Sequence, residues 1–345
     1  MAVPNGEPAI TRPPTLYDVA KLANVSHQTV SRLVKGQTNI RPEIRARVES
    51  AILELNYRPN MAARSLATSR SHRIGALVYE IAEVGPSKIM QGASVGAREA
   101  GYLLDIANLD PNDDHAIEQS ISLINQNDLA GVMVFAPTDR VVAAIEKVAF
   151  SVPVLVESEA RRPSGSPGPT PNEMAMTVLV EHLISLGHRR FFQIAGPSDW
   201  VVARGRAHAL EAALRARGLD LVGVAEGDWT SQSGYDAAMA MPLDRGITAL
   251  VASNDQTALG ALAALADRSV RVPDDVSVVG FDDIPESRFF RPSLTTVRLD
   301  FETQGRIAIG NLLQMITGND IDVTHTLLEP ELLIRASSGP APSVR

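Results

Sequence analysis

The 345-residue chain is 45% hydrophobic, carries a net charge of −8 and has no cysteine. That excludes a disulfide framework and a cysteine metal site, and no apolar run reaches the length of a membrane span, so the composition fits a cytoplasmic protein of two or three domains. The charge is uneven: residues 1–73 hold 11 Lys+Arg against 5 Asp+Glu, and the remainder 21 against 35, so attraction for phosphate is concentrated in a basic head.

Residues 1–14 (MAVPNGEPAITRPP) lack a basic start and an apolar stretch, and read as a flexible arm rather than a secretory signal. Residues 15–34 (TLYDVAKLANVSHQTVSRLV) read as two short helices around a tight turn. Thr15 caps the first, whose Leu16, Val19, Ala20 and Leu22 are expected to face inward. Ala23-Asn24 makes the turn and Ser26 caps the second. There Val30, Leu33 and Val34 fall on one side, and His27, Gln28, Ser31 and Arg32 on the other. Such a helix suits a major groove, where Gln pairs bidentately with adenine and Arg with guanine. A third amphipathic helix over 41–56, with Ile44, Val48, Ile52 and Leu55, closes the head. Pro59 then stops it, and Asn60 can cap a segment over 61–67 too short to be stable in water without a partner. Arg41, Arg45, Arg47, Arg58, Arg64, Arg70 and Arg73 are candidates for phosphate contact.

Beyond residue 73, apolar strand-like runs at 74–78, 103–107, 132–135 and 154–156 alternate with helical stretches near 87–100, 113–127 and 138–148. RRPSGSPGPTP at 161–171 interrupts as a loop. A second series follows, with strands near 190–195, 222–226, 249–253 and 276–280 and helices near 172–186, 203–217, 231–240 and 256–267. Two doubly wound α/β lobes are expected. No G-x-S-x-G elbow, H-E-x-x-H or P-loop is present. Asp282-Asp283, read as strand neighbours, should point to opposite faces and make a poor acid–base pair. His182 and His188 read as surface or capping residues. The expectation is a binding protein and not an enzyme, with no catalytic residue, metal or cofactor. Ligands of open α/β sheets bind beyond the carboxyl ends of the strands. Arg206, Trp229, Asn254 and Asp282 lie at or near such ends, with Phe301 further on. Forked Arg, Asp and Asn groups engage vicinal hydroxyls, and an aromatic ring packs on a sugar's C–H face, so the set has the chemistry of a carbohydrate pocket. Packing for Trp229, helix capping for Asn254 and loop bracing for Asp282 stay open as alternatives.

TLYDVAKLANVSHQTVSR, the ELNYRPN-x-x-A-R-x-L segment and Ile74-Gly75, followed in order by LGHRRFFQIAGP, EGDW, SNDQTALG, VSVVGFDD and PSLTTV, resemble the lactose-repressor (LacI) family of bacterial transcription regulators over residues 15–338. The resemblance implies a small all-α helix-turn-helix headpiece and an α/β periplasmic-binding-protein-like core of two doubly wound parallel-sheet lobes. It divides the chain into an arm (1–14), the DNA-binding domain (15–59), a hinge helix and linker (60–71), an effector-binding and dimerisation core (72–338) and a tail (339–345). The N-lobe takes about 72–170 and 298–328, and the C-lobe about 171–297 and 329–338, with crossovers near 170, 297 and 328. It also implies DNA contact by Thr15, Tyr17, Ser26, His27, Gln28, Thr29, Ser31 and Arg32, and by hinge residues Asn60, Ala63 and Leu66, the last a wedge at the central base step. Arg206, Asn254 and Asp282 match positions that bind an effector's polar groups, and Trp229 an indole that packs on a sugar ring. Pro86 and Ser87 match the opposite wall, with Phe301. Tyr79, Glu83 and Leu299 depart from the family pocket. The function implied is a repressor of carbohydrate-utilisation genes, released from a near-palindromic operator by a sugar effector, a β-galactoside-like glycoside first. The last residues, RASSGPAPSVR, contain no leucine heptad, so a homodimer is expected, cytoplasmic and without membrane contact. A corepressor-dependent repressor or an activator of the same family is the alternative. A non-DNA cytoplasmic sugar-binding protein is the alternative of another class, which the headpiece opposes.

Overall fold

The computed structural model describes residues 12–34, 39–58, 71–158, 168–219, 221–319 and 329–342. The hinge positions Asn60, Ala63 and Leu66, and the basic candidates Arg64 and Arg70, lie outside the described residues. The chain forms two compact units, Met1–His72 and Arg73–Arg345.

In the first unit, α1 (Leu16–Leu22) starts at a reciprocal capping box between Thr15 and Asp18, which satisfies two helix-start donors at once. Asn24, at φ +52°, makes the turn in the left-handed region that Asn tolerates. α2 (His27–Val34) starts at Ser26, whose Oγ accepts from the Thr29 N–H at 3.2 Å. α3 (Pro42–Glu54) opens on a proline, where the missing N–H would have had no helical partner. Val19, Ala20, Ala23, Val30, Val48, Ala51 and Tyr57 form the shared core. Leu22, expected inside, is 44% exposed. The helix ends there, and Val19, Ala20 and Ala23 carry its inward stripe.

The second unit has two lobes of one design. In the N-lobe, β1 (Arg73–Val78), α4 (Val84–Glu99), β2 (Leu103–Asn108), α5 (Asp114–Asn125), β3 (Gly131–Phe135), α6 (Asp139–Glu146) and β4 (Val154–Glu157) build a parallel sheet in the order β2-β1-β3-β4. In the C-lobe, α7 (Pro171–Ser185), β5 (Phe191–Ala195), α8 (Val201–Arg215), β6 (Leu221–Glu226), α9 (Ser231–Ala240), β7 (Ala249–Ala252), α10 (Asp255–Asp267) and β8 (Ser277–Val279) build a second, in the order β6-β5-β7-β8. β9 (Thr296–Arg298) then pairs antiparallel with β10 (Glu331–Leu333). Between them α11 (Phe301–Thr317) lies on α4 in the N-lobe; at Gly92 and Gly305 a Cβ would collide with the facing backbone, so glycine permits the approach. One apolar cluster runs through both lobes, from Ile74 and Leu312 to Leu179 and Phe191, and each sheet has a further cluster on its other face. No helix among the described residues is long and apolar enough to cross a membrane.

Two expectations need correction. Arg73 opens β1 and pairs with Asp105 at 2.6 Å, which removes it from the headpiece's basic set. His188 is not a surface or capping residue: it is fully buried, bonded to the hydroxyls of Thr248 and Ser277 at 3.0 Å each and to the Gly339 carbonyl at 3.1 Å. Burial lowers its pKa. In the tail, the Ala341 N–H donates to the Leu186 carbonyl at 2.9 Å.

Candidate functional site

On α2, His27, Gln28 and Arg32 are exposed, and Thr29 and Ser31 are half-buried. Tyr17, 68% exposed, stacks on His27 with ring centroids 5.1 Å apart, which joins the starts of α1 and α2. The hydroxyls of Thr15 and Ser26 are held in helix caps. Thr15 donates to Asp18 through its hydroxyl and its N–H, and these bonds hold that carboxyl below its ordinary range. His27, Gln28 and Arg32, beside Tyr17, are therefore the side chains presented outward, and Thr15 and Ser26 fix their framework.

In the core, Arg206 lies in the second turn of α8 and is 5% exposed. Its Nε donates to Asn172 Oδ1 at 2.8 Å, Nη1 to the Ser253 carbonyl at 2.5 Å and Nη2 to Asp282 Oδ1 at 3.4 Å. The guanidinium lies 3.6 Å from the Phe281 ring centroid and 5.7 Å from that of Trp229. Each of the three Arg206 nitrogens is thus bonded, while Asp282 has only the longest of these contacts. Burial raises the Asp282 pKa and Arg206 pulls it back. Asp282 and Asp283 are not strand neighbours: β8 ends at Val279, and both take positive φ in the turn beyond it. They still face different partners. Burial raises the Asp283 carboxyl, but Arg335 and Arg298, bonded at 2.6 Å each, hold it below its ordinary range.

Trp229, at φ +72°, is buried against Gly196, where any Cβ would run into the indole. It meets Trp200 edge-on at 5.6 Å, and Trp200 meets Tyr79 at 5.1 Å. Asn254 caps α10: its Oδ1 accepts from the Thr257 N–H at 2.8 Å, and its Nδ2 donates to the Trp229 carbonyl at 2.9 Å. Of the two roles left open for it, the structure shows the cap, which also anchors Trp229. Buried Trp229 Nε1, Ser253 Oγ and Gln256 Oε1 have no hydrogen-bond partner among the described residues.

The facing N-lobe wall is differently made. Pro86 and Ser87 lie in the first turn of α4 rather than in a loop. Phe301 packs on Gly85 and, with Lys88, Leu299, Asp300 and Glu302, lines a cavity of about 400 Å³ whose wall does not include Arg206, Trp229 or Asp282. Glu83 accepts from Gln256 Nε2 across the lobes at 3.3 Å, and burial, then Asp282, raises its pKa. Half-buried Glu80, at φ +37°, accepts from the Glu83 N–H through its carbonyl at 2.8 Å, but its carboxylate has no hydrogen bond or ion pair among the described residues. Burial, reinforced by Glu83, Asp110 and Asp228, pushes its pKa up to about 7. The lobes also meet where the Val201 N–H donates to the Pro137 carbonyl at 2.9 Å and Arg204 pairs with Asp139 at 2.7 Å.

The structure thus brings Arg206, Trp229, Asn254 and Asp282 together and leaves Phe301 against a different cavity. Sequence reasoning did not find Asn172, Ser253, Phe281, Trp200, Glu80 or Gln256. Trp200 had a usable signal, since the chain has only two tryptophans and this one closes GPSDW just beyond a strand end.

The family model of bacterial regulatory proteins of the lacI family matches residues 15–60, and that of the periplasmic binding protein-like domain matches residues 180–338. The lactose operon repressor of Escherichia coli (strain K12) is 33% identical over 97% of this chain and 93% of its own length. Among solved structures, the lac repressor dimer bound to operator and the anti-inducer ONPF has a TM-score of 0.82 at 32% identity, covering 95% of this chain and 100% of that one. The CelR–cellobiose complex has a TM-score of 0.67 at 31% identity, covering 94% and 100%. With a relative this similar along nearly its whole length, the chain belongs to the lacI family of bacterial regulatory proteins.

Proposed function

We propose that this protein is a dimeric repressor of carbohydrate-utilisation genes, released from a near-palindromic operator when a sugar occupies the cleft between the lobes. One observation carries the reading: a buried arginine–aspartate pair beside an indole, with unpartnered polar atoms around it, in a chain that also presents His27, Gln28 and Arg32 on an exposed helix. Asp282 supplies an acceptor for hydroxyls, and Trp229 an apolar face. The similar CelR structure holds cellobiose, which supports a glycoside here, β-galactoside-like or otherwise. Leu103 and Ile106 on the edge strand β2, and Val224 on the edge strand β6, are exposed apolar residues that a second copy would cover. Bound to its operator, the protein acts in the cytoplasm on the nucleoid.

The cleft acts on DNA only through the difference in sugar affinity between the bound and released forms. A release of roughly a hundredfold requires about 3 kcal/mol of coupling. The test is fluorescence anisotropy of the purified protein on labelled DNA from upstream of its own gene, with a panel of mono- and disaccharides. At least one sugar is expected to release the DNA, and Asp282→Asn to raise the concentration needed at least tenfold. Arg32→Ala is expected to cost about 1–3 kcal/mol on that DNA and less on random DNA. A panel without any effect, or an Asp282→Asn response identical to wild type, would remove the sugar reading.

A further inference from the structure

The turn after β8 holds two consecutive aspartates with different partners. Asp282 pairs with Arg206 in the cleft. The Asp283 carboxylate accepts four hydrogen bonds elsewhere. One oxygen takes Arg298 Nε at 2.9 Å and Nη2 at 2.6 Å, and the other takes Arg335 Nη2 at 2.6 Å and the Ser287 hydroxyl at 3.1 Å.

The two arginines belong to the segments that join the lobes. β9 starts beside the C-lobe sheet, where the Thr295 carbonyl accepts from the Gly280 N–H at 2.9 Å. It leads into α11, which lies on α4 in the N-lobe. Arg298 ends β9 and pairs with Glu331 of β10 at 2.8 Å. Two residues beyond β10, Arg335 is fixed to the C-lobe side. Its N–H donates to the Thr295 hydroxyl at 2.8 Å, and its Nη1 to the Leu294 carbonyl at 2.8 Å and the Ser287 hydroxyl at 2.9 Å. Asp283 thus ties both joining segments together at one point.

Asp282 is tied to the same strand by its main chain, since its N–H donates to the Val297 carbonyl at 2.9 Å. Consecutive residues therefore grip β9, one through its backbone and the other through its side chain, and the first also faces the cleft. Both hold positive φ, +102° and +50°, without being glycine. Such a backbone persists only where its surroundings over-determine it. Asp283 supplies that constraint, with a carboxylate 10% exposed between two guanidinium groups, whose charge-assisted bonds are stronger than neutral ones.

A sugar shifts the DNA equilibrium only if its affinity depends on how the lobes are arranged. A contact held wholly within one lobe keeps its geometry in every arrangement. Asp282 is not such a contact, because its peptide is bonded to a strand that runs between the lobes. We infer that Asp283 is a positioning residue for release: through Arg298 and Arg335 it fixes the Asp282 turn to β9 and β10, so that a sugar held by Asp282 biases the arrangement of the lobes. This rests on the sugar reading above and assigns its transmission; Asp283 itself holds no sugar.

The variant Asp283→Asn keeps the shape of the side chain and removes both ion pairs. Full-length wild type and variant are compared on the same mono- and disaccharides, cellobiose among them. Calorimetry reads sugar binding to the free protein, and fluorescence anisotropy on the labelled upstream DNA reads release. For the sugar most effective on wild type, the variant's Kd is expected within about threefold of wild type. The loss of DNA affinity at saturating sugar should fall from about a hundredfold to below tenfold. Arg298→Gln, at a side chain 44% exposed, should show the same split to a smaller degree. It decides the matter if Asp283→Asn fails to melt cooperatively. Sugar affinity and release that fall in step, as expected for Asp282→Asn, would make Asp283 part of the pocket and overturn the inference. So would release at the wild-type level in the folded variants. Both outcomes leave the sugar reading standing. No binding of any sugar to wild type removes that reading and this inference together.

Discussion

The two lobes repeat one sheet order, yet they bring different walls to the cleft. On the C-lobe side, Arg206 is bonded to Asn172, Ser253 and Asp282, and Asn254 caps α10 while holding Trp229. On the N-lobe side, the Glu80 carboxylate has no hydrogen bond or ion pair among the described residues and that of Glu83 has one long contact. A wall bonded within itself keeps its geometry whatever ligand arrives. A wall of under-satisfied carboxylates leaves its main interaction for the ligand. In the proposed sugar site the C-lobe is the preformed wall and the N-lobe the adaptable one, and substitutions on the two sides should fail in different ways.

The largest effect belongs to the preformed wall. Arg206→Ala leaves Asp282 buried without its cation, and Asn172 Oδ1 and the Ser253 carbonyl without their donor. Breaking a buried ion pair from one side costs about 3–5 kcal/mol, and removing both partners in favour of apolar groups restores much of it. Urea denaturation should show that loss in Arg206→Ala and a partial recovery in the Arg206→Met/Asp282→Leu double variant. A single variant as stable as wild type would mean that the C-lobe wall is as loosely held as the N-lobe wall.

Asp255 tests the same wall at its base. It is fully buried, its carboxyl accepting from the Ile284 N–H at 2.8 Å and from the Thr296 hydroxyl at 2.6 Å. Burial pushes its pKa up to about 8, opposed by the Thr296 hydrogen bond, so at neutral pH it is mainly the uncharged acid. Asn matches that form in shape and polarity. Asp255→Asn should therefore stay within about 1 kcal/mol of wild type at pH 7, and Asp255→Leu should lose about 1–3 kcal/mol for each partner left unsatisfied. Thermal unfolding of the two variants at one pH separates them. An equal loss in both would mean that the ionised carboxylate is what the site requires.

Much of this architecture was legible because parallel strands buried on both faces read as apolar runs, and because caps such as Thr15 and Ser26 mark helix starts in the chain itself. The misreadings have one cause. His188 looked like a capping residue because its partner Gly339 lies 151 positions away. Asp282 and Asp283 looked like strand residues because nothing local says that β8 stops at Val279. Arg73 looked like part of the basic head until its pairing with Asp105 in the neighbouring strand was seen. In the cleft, the residue types of Arg206, Asp282 and Trp229 announced themselves. The residues that hold them, Asn172, Ser253 and Phe281, are ordinary by type and gain their roles only from tertiary contact.

The N-lobe wall should show itself in the pH dependence of stability. Glu80 rises from its ordinary 4.5 to about 7 on folding. Below 4.5 it is protonated in both states and its contribution is fully present. As pH rises toward 7 the unfolded chain ionises first, and stability is lost until the folded group has ionised too. The side chain is only half-buried, so screening holds the loss to about 1 kcal/mol. Urea midpoints measured from pH 4.5 to 8 should place Glu80→Gln increasingly above wild type as pH rises. A constant offset between the two would show that Glu80 is already compensated, and the contrast between the walls would shrink.

The smallest effect lies where the lobes meet. Arg204 reaches from α8 to Asp139 at 2.7 Å, beside the Val201 N–H bond to the Pro137 carbonyl and an isolated antiparallel bridge between Thr138 and Trp200. Both charged side chains are exposed, so their attraction acts through water and is screened by salt. A double-mutant cycle of Arg204→Ala and Asp139→Ala should give a coupling of about 0.2–1 kcal/mol, falling as salt is raised. The backbone contacts of Val201 and Thr138 remain in every corner of the cycle, so the lobes should stay in register and the sugar response should barely move. A coupling above that range, or one insensitive to salt, would mean that this ion pair clamps the lobes together. Closure of the cleft would then depend on a side-chain latch rather than on the backbone contacts beside it.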